Sequence, residues 1–216
     1  MTNGINTREL ILQILLEIEE EGKHSHIAIR NALSKYQFLP RQERAFITRV
    51  CEGTLEYRIL IDYIIDSYSK VSVDKMKPVI REILRSAVYQ IRFMDSVPDS
   101  AVCNEAVKLA TARGYKSLSG FVNGVLRAIG RGKTEIKLPE KGTAEYLSVV
   151  YSHPLWLVKM WVAYYGYEKT EALCQADNEA PDVTVRVNTL KTDAETLAKQ
   201  LEDCLLYTSP SPRDCS

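Results

Sequence analysis

Apolar residues recur at intervals of three and four through most of the chain, the spacing of helices that bury one face. The first such stretch follows Asn6, a residue that can cap a helix, and Glu9 is placed as in a capping box. Gly22 ends this helix. A second helical stretch runs from about Ile27 to Tyr36.

Prolines mark where several of the later helices begin. Pro40 opens a long segment, because proline is tolerated in the first turn of a helix. We expect two shorter helices to share this segment, with Gly53 at a bend or at a close contact between helices. Pro78 starts the next helix, and two more helices follow Pro98. The pattern therefore predicts one all-helical bundle over residues 5–131.

The pattern changes after the bundle. Residues 132–142 are rich in glycine, proline and charge, and we interpret them as a linker. Residues 143–203 hold short helical patterns, one of them rich in aromatic residues after Pro154. The alternating, β-branched run Val183–Val187 predicts a strand. The expected fold class is all-α: a helical bundle, then a helical connector and the start of a small α/β subdomain.

The charge and hydropathy of the chain restrict its possible partners. Lysine and arginine number 28, as do aspartate and glutamate, so a nucleic-acid partner must be bound by a local basic surface. No apolar run approaches the roughly 20 residues that span a bilayer, and no signal peptide precedes the first helix. We therefore expect a cytoplasmic protein with no membrane partner.

The cysteines carry no sign of a disulfide framework or a metal site. There are five, widely scattered, with no CxxC pair and no histidine at ligand spacing. We interpret Cys51 and Cys103 as small buried hydrophobic residues, and we expect no bound metal.

Short motifs in a fixed order carry a resemblance to a known family. In the bundle they are Glu43-Arg44-Ala45-Phe46, Gly53-Thr54, Ile83-Leu84-Arg85, Tyr89-Gln90-Ile91, Pro98 with Ala101-Val102-Cys103-Asn104-Glu105-Ala106-Val107, and Gly120-Phe121-Val122-Asn123-Gly124-Val125-Leu126-Arg127. The chain resembles the bacterial ribosomal RNA cytosine-5 methyltransferases of the Sun/Fmu (RsmB-like) type, whose N-terminal domain resembles the antitermination factor NusB. After the bundle, Tyr151–Val158, Trp161 and Tyr165-Gly166 resemble the connector of these enzymes.

The resemblance implies a fold and a role for each part. Residues 5–131 would be a NusB-like RNA-binding domain, and residues 143–203 the connector and the beginning of the methyltransferase N-terminal subdomain. The parent enzyme would use S-adenosylmethionine to methylate cytosine C5 in 16S ribosomal RNA. Residues 204–216 depart from the family and resemble a translated sequencing adapter, so we expect a non-native tail there.

The resemblance also implies what this chain lacks. Neither the Rossmann-like fold for S-adenosylmethionine nor the cysteine that adds to cytosine C6 has a counterpart in the sequence. We therefore expect a fragment that ends before the catalytic domain, has no catalytic or cofactor-binding residue, and is inactive alone. Cys204 and Cys215 lack a neighbouring base, and Gly132-Lys133-Thr134 lacks the glycine and the strand of a phosphate loop.

Clustered basic residues carry the main functional prediction. Most lie in one stretch after the sixth helix, where Glu135 is the opposing charge. Such side chains contact phosphates and position a domain on folded RNA without reading its bases. Others would extend this surface if their helices share a face, whereas each alone could simply solvate or cap a helix. The predicted RNA-binding set is Arg8, Arg41, Arg44, Arg85, Arg113, Lys116, Arg127, Arg131 and Lys133.

Other features have a functional and a structural interpretation. We expect Gly120 and Gly124 to permit close packing of a neighbour, and His153 to support a local turn. The aromatic residues after Pro154 can stack on RNA bases or pack in a core, and packing is favoured for Trp156 and Trp161.

Two alternatives to the methyltransferase remain open. One is a non-enzymatic NusB-like RNA-binding or antitermination factor, which would not need the segment after residue 138. The other is a helical interaction module that never meets RNA, favoured if the basic residues are dispersed around the bundle.

Overall fold

The computed structural model of the chain describes residues 6–132, 136–179 and 185–205. These residues form eleven α-helices and two short 3-10 turns, Val73–Lys75 and Lys116–Leu118. In order, the helices are α1 (Thr7–Glu21), α2 (Ser25–Lys35), α3 (Arg41–Glu56), α4 (Arg58–Tyr68), α5 (Pro78–Phe93), α6 (Asp99–Ala112), α7 (Ser119–Arg131), α8 (Ala144–Val150), α9 (Leu155–Tyr165), α10 (Tyr167–Asp177) and α11 (Ala194–Leu205). Helices α1–α10 belong to one compact unit and α11 to a second.

Helices α1–α7 form a bundle around α5, as the sequence predicts. Helix α5 packs against α1, α3, α4, α6 and α7. Every residue from Glu82 to Ile91 is buried, so α5 is covered on almost all sides and not on one face alone. Large aliphatic side chains from all seven helices fill the core, among them Ile11, Ile14, Ile47, Ile61, Leu84 and Leu126.

The predicted helix ends of α1 are confirmed. The side chain of Asn6 accepts hydrogen bonds from the backbone N–H groups of Arg8 and Glu9, at 3.0 and 3.3 Å. Gly22 closes the helix with φ of 64°, a left-handed conformation that glycine adopts at little cost. Pro78 occupies the first turn of α5, as expected.

Gly53 marks a close contact between helices and not a bend. The long predicted segment divides at Tyr57, between α3 and α4. A Cβ atom on Gly53 would lie 2.1 Å from Cζ of Tyr89 on α5, so only glycine leaves room for that ring. Tyr89 stacks on Phe93, which stacks on Tyr57, with ring centroids 5.3 and 4.5 Å apart.

Helices α8–α10 form a small second core. Leu147, Val158 and Cys174 are fully buried at its centre. His153 is buried beside them, with Nδ1 2.7 Å from the carbonyl oxygen of Tyr151 and Nε2 2.9 Å from Oδ2 of Asp177. These contacts tie the turn before α9 to the end of α10, which confirms the local structural role predicted for His153.

The described part of the predicted linker is fastened to helix α4. The hydroxyl groups of Tyr68 and Tyr63 donate to the carbonyl oxygens of Gly132 and Lys137, at 2.8 and 2.7 Å. Further along, the backbone N–H of Ile59 donates to Oγ of Ser152 at 3.0 Å. The chain that joins the bundle to the α8–α10 core therefore contacts α4 at Gly132, Lys137 and Ser152. We call these three contacts the strap.

Two further sequence predictions concern the second unit and the membrane. Residues 180–184 lie outside the described residues, and residues 185–187, the described part of the predicted strand, are not in a strand. In the described chain, no helix has the length and apolar character needed to cross a bilayer.

We expect alanine substitutions at Gly53 and at Gly124 to change the stability of the protein in opposite directions. Gly53→Ala should lower the free energy of unfolding by about 1–3 kcal/mol, because the new methyl group displaces the Tyr89 ring. Gly124→Ala should raise it by up to about 1 kcal/mol, because nothing lies within 4 Å of that site and alanine favours a helix. Urea unfolding measures both; equal effects would contradict the close-contact assignment.

Candidate nucleic-acid interface

Three of the predicted basic residues are exposed on α7 and on the 3-10 turn directly before it. Arg127 and Arg131 are exposed and stand one turn apart on the same side of the helix. Lys116 is exposed on the 3-10 turn that leads into α7. None of the three forms an ion pair with a described residue. We call Lys116, Arg127 and Arg131 the α7 basic surface.

Two exposed glycines continue the same side of α7. Gly120 and Gly124 precede Arg127 at helical spacing, and no atom lies within 4 Å of a Cβ built on either one. The prediction that a neighbouring element packs on them is therefore wrong for the described chain. The backbone of α7 is instead open to an approaching partner beside the two arginines.

Two other members of the predicted cluster stand apart from this surface. Arg113 is exposed, but its guanidinium pairs with the carboxylate of Glu9 at 2.5 Å, which neutralises part of its charge. Lys133 lies outside the described residues.

Arg8 and Arg44 are engaged within the bundle. The guanidinium carbon of Arg8 lies 5.5 Å from the ring centroid of Phe46, a cation–π distance. Nη1 of Arg44 donates to the carbonyl oxygens of Leu33 and Tyr36, at 3.0 and 3.5 Å. Arg44 therefore satisfies carbonyl groups at the end of α2, a role that the sequence left open. Arg41 is exposed at the start of α3.

Arg85 must be removed from the RNA-binding set. It is only 6% exposed, and Nε and Nη2 donate to the two carboxylate oxygens of Asp62, each at 2.7 Å. Nη1 donates to Glu82 at 2.6 Å. A guanidinium enclosed by two carboxylates on α4 and α5 neutralises buried charge and is not presented to phosphates. The sequence contains a signal for this burial, because Glu82 and Arg85 alternate with the apolar residues of α5.

Sequence reasoning missed a second basic region, around α2 and α3. The sequence between residues 22 and 51 contains six lysine or arginine residues and a single acidic residue, Glu43. Arg30, Lys35 and Arg49 are exposed and form no ion pair with a described residue. The local charge excess that identified the later cluster is equally visible here. The basic residues are Lys23, Arg30, Lys35, Arg41, Arg44 and Arg49.

The aromatic residues of α9 divide between the two interpretations. Trp161 packs against the second core, as predicted. Trp156 does not, because it is 69% exposed, and Tyr164 and Tyr165 are also exposed. Packing therefore accounts for Trp161 but leaves a partly aromatic outer face on α9.

Three of the five cysteines are buried and inert. Cys51, Cys103 and Cys174 are buried and unpaired, as predicted for the first two. Burial raises the pKa of each thiol above its usual value, so each stays protonated and is a poor nucleophile. Among the described residues, no group of histidine, cysteine, aspartate and glutamate side chains is placed to hold a metal.

Comparison with known families agrees with this architecture. Residues 5–131 match the NusB family, and residues 153–213 match the ferredoxin-like domain of the RsmF/B-like methyltransferases. The chain belongs to the NusB family in its N-terminal part and continues into that second domain. The second match runs into residues 204–213, so the expected non-native tail stays a prediction.

Individual relatives show the same combination. Probable ribosomal RNA small subunit methyltransferase B of Bacillus subtilis (strain 168) is 33% identical over 196 residues, which are 91% of this chain and 43% of that protein. The protein of the same name from Synechocystis sp. is 33% identical over 205 residues, 95% of this chain and 46% of that protein. The chain thus spans less than half the length of these methyltransferase relatives.

Relatives that are NusB proteins match a shorter part of the chain. Transcription antitermination protein NusB of Symbiobacterium thermophilum is 35% identical over 133 residues, 58% of this chain and 87% of that protein. The part of the chain after the bundle is shared with the methyltransferases.

Solved structures confirm the fold. The crystal structure of PH0851 superposes with a TM-score of 0.63 at 24% identity and covers 93% of this chain and 45% of that chain. T. maritima NusB superposes at 0.54 and 24% identity, covering 61% of this chain and 91% of that chain. The predicted NusB-like helical bundle is therefore correct.

The buried network at Arg85 yields a pH-dependent prediction. Burial raises the pKa of the Asp62 and Glu82 carboxyl groups, and Arg85 opposes that effect. Arg85→Met removes the cation and leaves the buried carboxylate of Glu82 and the half-buried one of Asp62, which should cost about 3–5 kcal/mol at pH 7. A carboxyl group with a raised pKa in the folded state takes up its proton there first, so folded-state stability recovers as the pH falls. The loss should therefore be smaller at pH 5.

Urea unfolding of both proteins at pH 5 and pH 7 measures this difference. Arg41→Met is the matched control, because it removes the same charge from an exposed site and should change stability little. A loss at Arg85 that matches the control, or that grows toward pH 5, would overturn the assignment.

Proposed function

We propose that this chain is the RNA-recognition region of an S-adenosylmethionine-dependent 16S ribosomal RNA (cytosine-C5)-methyltransferase, which positions the catalytic domain on the RNA. The observation that carries the proposal is the α7 basic surface, three exposed cations of a NusB-family bundle that form no ion pair with a described residue. The match of residues 153–213 to a methyltransferase-associated domain supports the enzymatic context. The protein acts in the cytoplasm, where ribosomal RNA is modified.

The chemistry of the α7 basic surface suits an RNA backbone. Lysine and arginine side chains neutralise phosphates and release condensed counterions, which drives binding without sequence readout. The chain has no net charge, so attraction must come from such a local surface. Gly120 and Gly124 favour this attraction, because they have no side chain and a phosphate backbone can approach α7 closely there.

The described residues do not fit S-adenosylmethionine. No strand followed by a glycine-rich turn and a helix occurs in the described ranges, and Cys51, Cys103 and Cys174 are buried. We therefore assign cofactor binding and attack on cytosine to the catalytic domain of the parent enzyme. This chain orients the catalytic domain on the RNA. The strap along α4 fixes the connector against the bundle, and the bundle binds the RNA.

A non-enzymatic NusB-like antitermination factor is the second candidate. The identity to NusB proteins favours it for the bundle. It does not account for helices α8–α10 or for the ferredoxin-like match, so we prefer the methyltransferase.

We expect the full 216-residue chain to bind a small-subunit ribosomal RNA fragment with an affinity that falls steeply with salt. Changing Lys116, Arg127 and Arg131 to Gln should weaken binding at low salt. It should also lower the salt slope by roughly one for each phosphate that the variant no longer neutralises. Fluorescence anisotropy across a salt series measures both quantities.

A second triple variant controls for the loss of charge itself. Lys108, Lys159 and Lys169 are exposed on three different helices, so changing them to Gln removes the same charge without touching α7. If the two triple variants bind equally, or if the wild-type chain fails to bind, the α7 basic surface is not the RNA-binding site.

A further inference from the structure

A narrow cavity lies between helices α1, α5 and α6 of the bundle. It accommodates a water-sized sphere, whose centre is free to move within about 10 Å³. Sites for drug-sized ligands measure roughly 300–1,000 Å³, so this cavity suits a single very small molecule. Most of its wall is apolar, and three polar residues interrupt that wall: Arg8 on α1, and Ser86 and Gln90 on α5.

The side-chain amide of Gln90 has a fixed orientation. Gln90 is only 3% exposed, and its Nε2 donates to the carbonyl oxygen of Ser86 at 2.9 Å. Because a carbonyl oxygen only accepts, the amide nitrogen must face it and Oε1 must face away from it. Oε1 is buried and accepts no hydrogen bond from a described residue. A buried acceptor of this kind destabilises the fold unless a donor reaches it.

Arg8 supplies an unpartnered donor to the same cavity. Its Nε is buried and donates to no described residue. The ring of Phe46 holds the guanidinium, whose carbon lies 5.5 Å from the ring centroid. The hydroxyl of Ser86 donates to the carbonyl oxygen of Ile83 at 3.2 Å, and its oxygen can still accept. One donor from α1 and two acceptors from α5 therefore belong to residues that line one small cavity.

We infer that this cavity binds one internal water molecule, which accepts from Nε of Arg8 and donates to Oε1 of Gln90 and Oγ of Ser86. A water molecule donates twice and accepts twice, so it satisfies both unpartnered atoms at once. Buried waters typically make about three hydrogen bonds to polar groups that otherwise lack a partner. The water links α1 to α5 beside α6, and its presence does not depend on whether the chain binds RNA.

The charges around the cavity favour water over an ion. A cation there would meet the positive guanidinium of Arg8. Chloride would meet Oε1 of Gln90, which has no proton to donate. The rest of the wall, which includes Leu12, Val102 and Leu109, offers an ion no compensation for its lost hydration.

A high-resolution crystal structure of the 216-residue chain is the direct test. We expect one water oxygen within about 2.7–3.2 Å of both Arg8 Nε and Gln90 Oε1. A direct hydrogen bond between these two side chains, a cavity without an electron-density peak, or a peak that refines as chloride would each overturn the water site.

Oxygen-17 relaxation dispersion, which counts long-lived internal waters, tests the same site in solution. Gln90→Leu should lower the count by about one, because leucine replaces the acceptor by apolar surface. Gln13→Leu is the matched control, since Gln13 is exposed on α1 and the same change there should leave the count unaltered. Circular dichroism establishes that both variants are folded.

The two measurements decide the case together. An unchanged count in folded Gln90→Leu, or an equal fall in Gln13→Leu, would contradict a water held by Gln90. The crystallographic test needs no variant, so it decides the case even if Gln90→Leu does not fold.

Discussion

The burial of helix α5 on almost all sides is the constraint on which the rest of the bundle depends. Five helices cover it, so a charged side chain at its centre needs partners within the protein. Arg85 therefore requires Glu82 on its own helix and Asp62 on α4. The same crowding requires glycine at position 53, where the ring of Tyr89 reaches α3.

The chain has no net charge, and the packing of the bundle divides its basic residues into those bound inside the protein and those exposed on its surface. Arg85 is enclosed by carboxylates, so it contributes little to an external field, whereas Arg44 keeps its charge and donates to carbonyl oxygens at the end of α2. Exposed cations that form no ion pair with a described residue include Arg127 and Arg131 on α7 and Arg30, Lys35 and Arg49 on α2 and α3. A balanced composition thus conceals two distinct basic surfaces.

Most of the fold is predictable from the sequence because its signals are local. Asn6, Gly22 and Pro78 act through the backbone of their own helix, and the apolar spacing of α5 and α7 needs no knowledge of their neighbours. The prediction for Arg85 fails because a helix buried on one side would leave that charge exposed, whereas α5 is covered all round. The prediction for Gly120 and Gly124 fails for the reverse reason: their spacing is typical of packing, but no neighbour lies there.

The strap along α4 has a thermodynamic consequence for any ligand that touches both the bundle and the α8–α10 core. Contacts with α4 hold Gly132, Lys137 and Ser152 in place, so the conformational entropy of these residues is already lost on folding. A flexible tether of the same length would lose that entropy during binding and weaken the complex. Here the separation of the two parts acts as a fixed spacing, and a ligand of matching shape can bind both parts without ordering the strap.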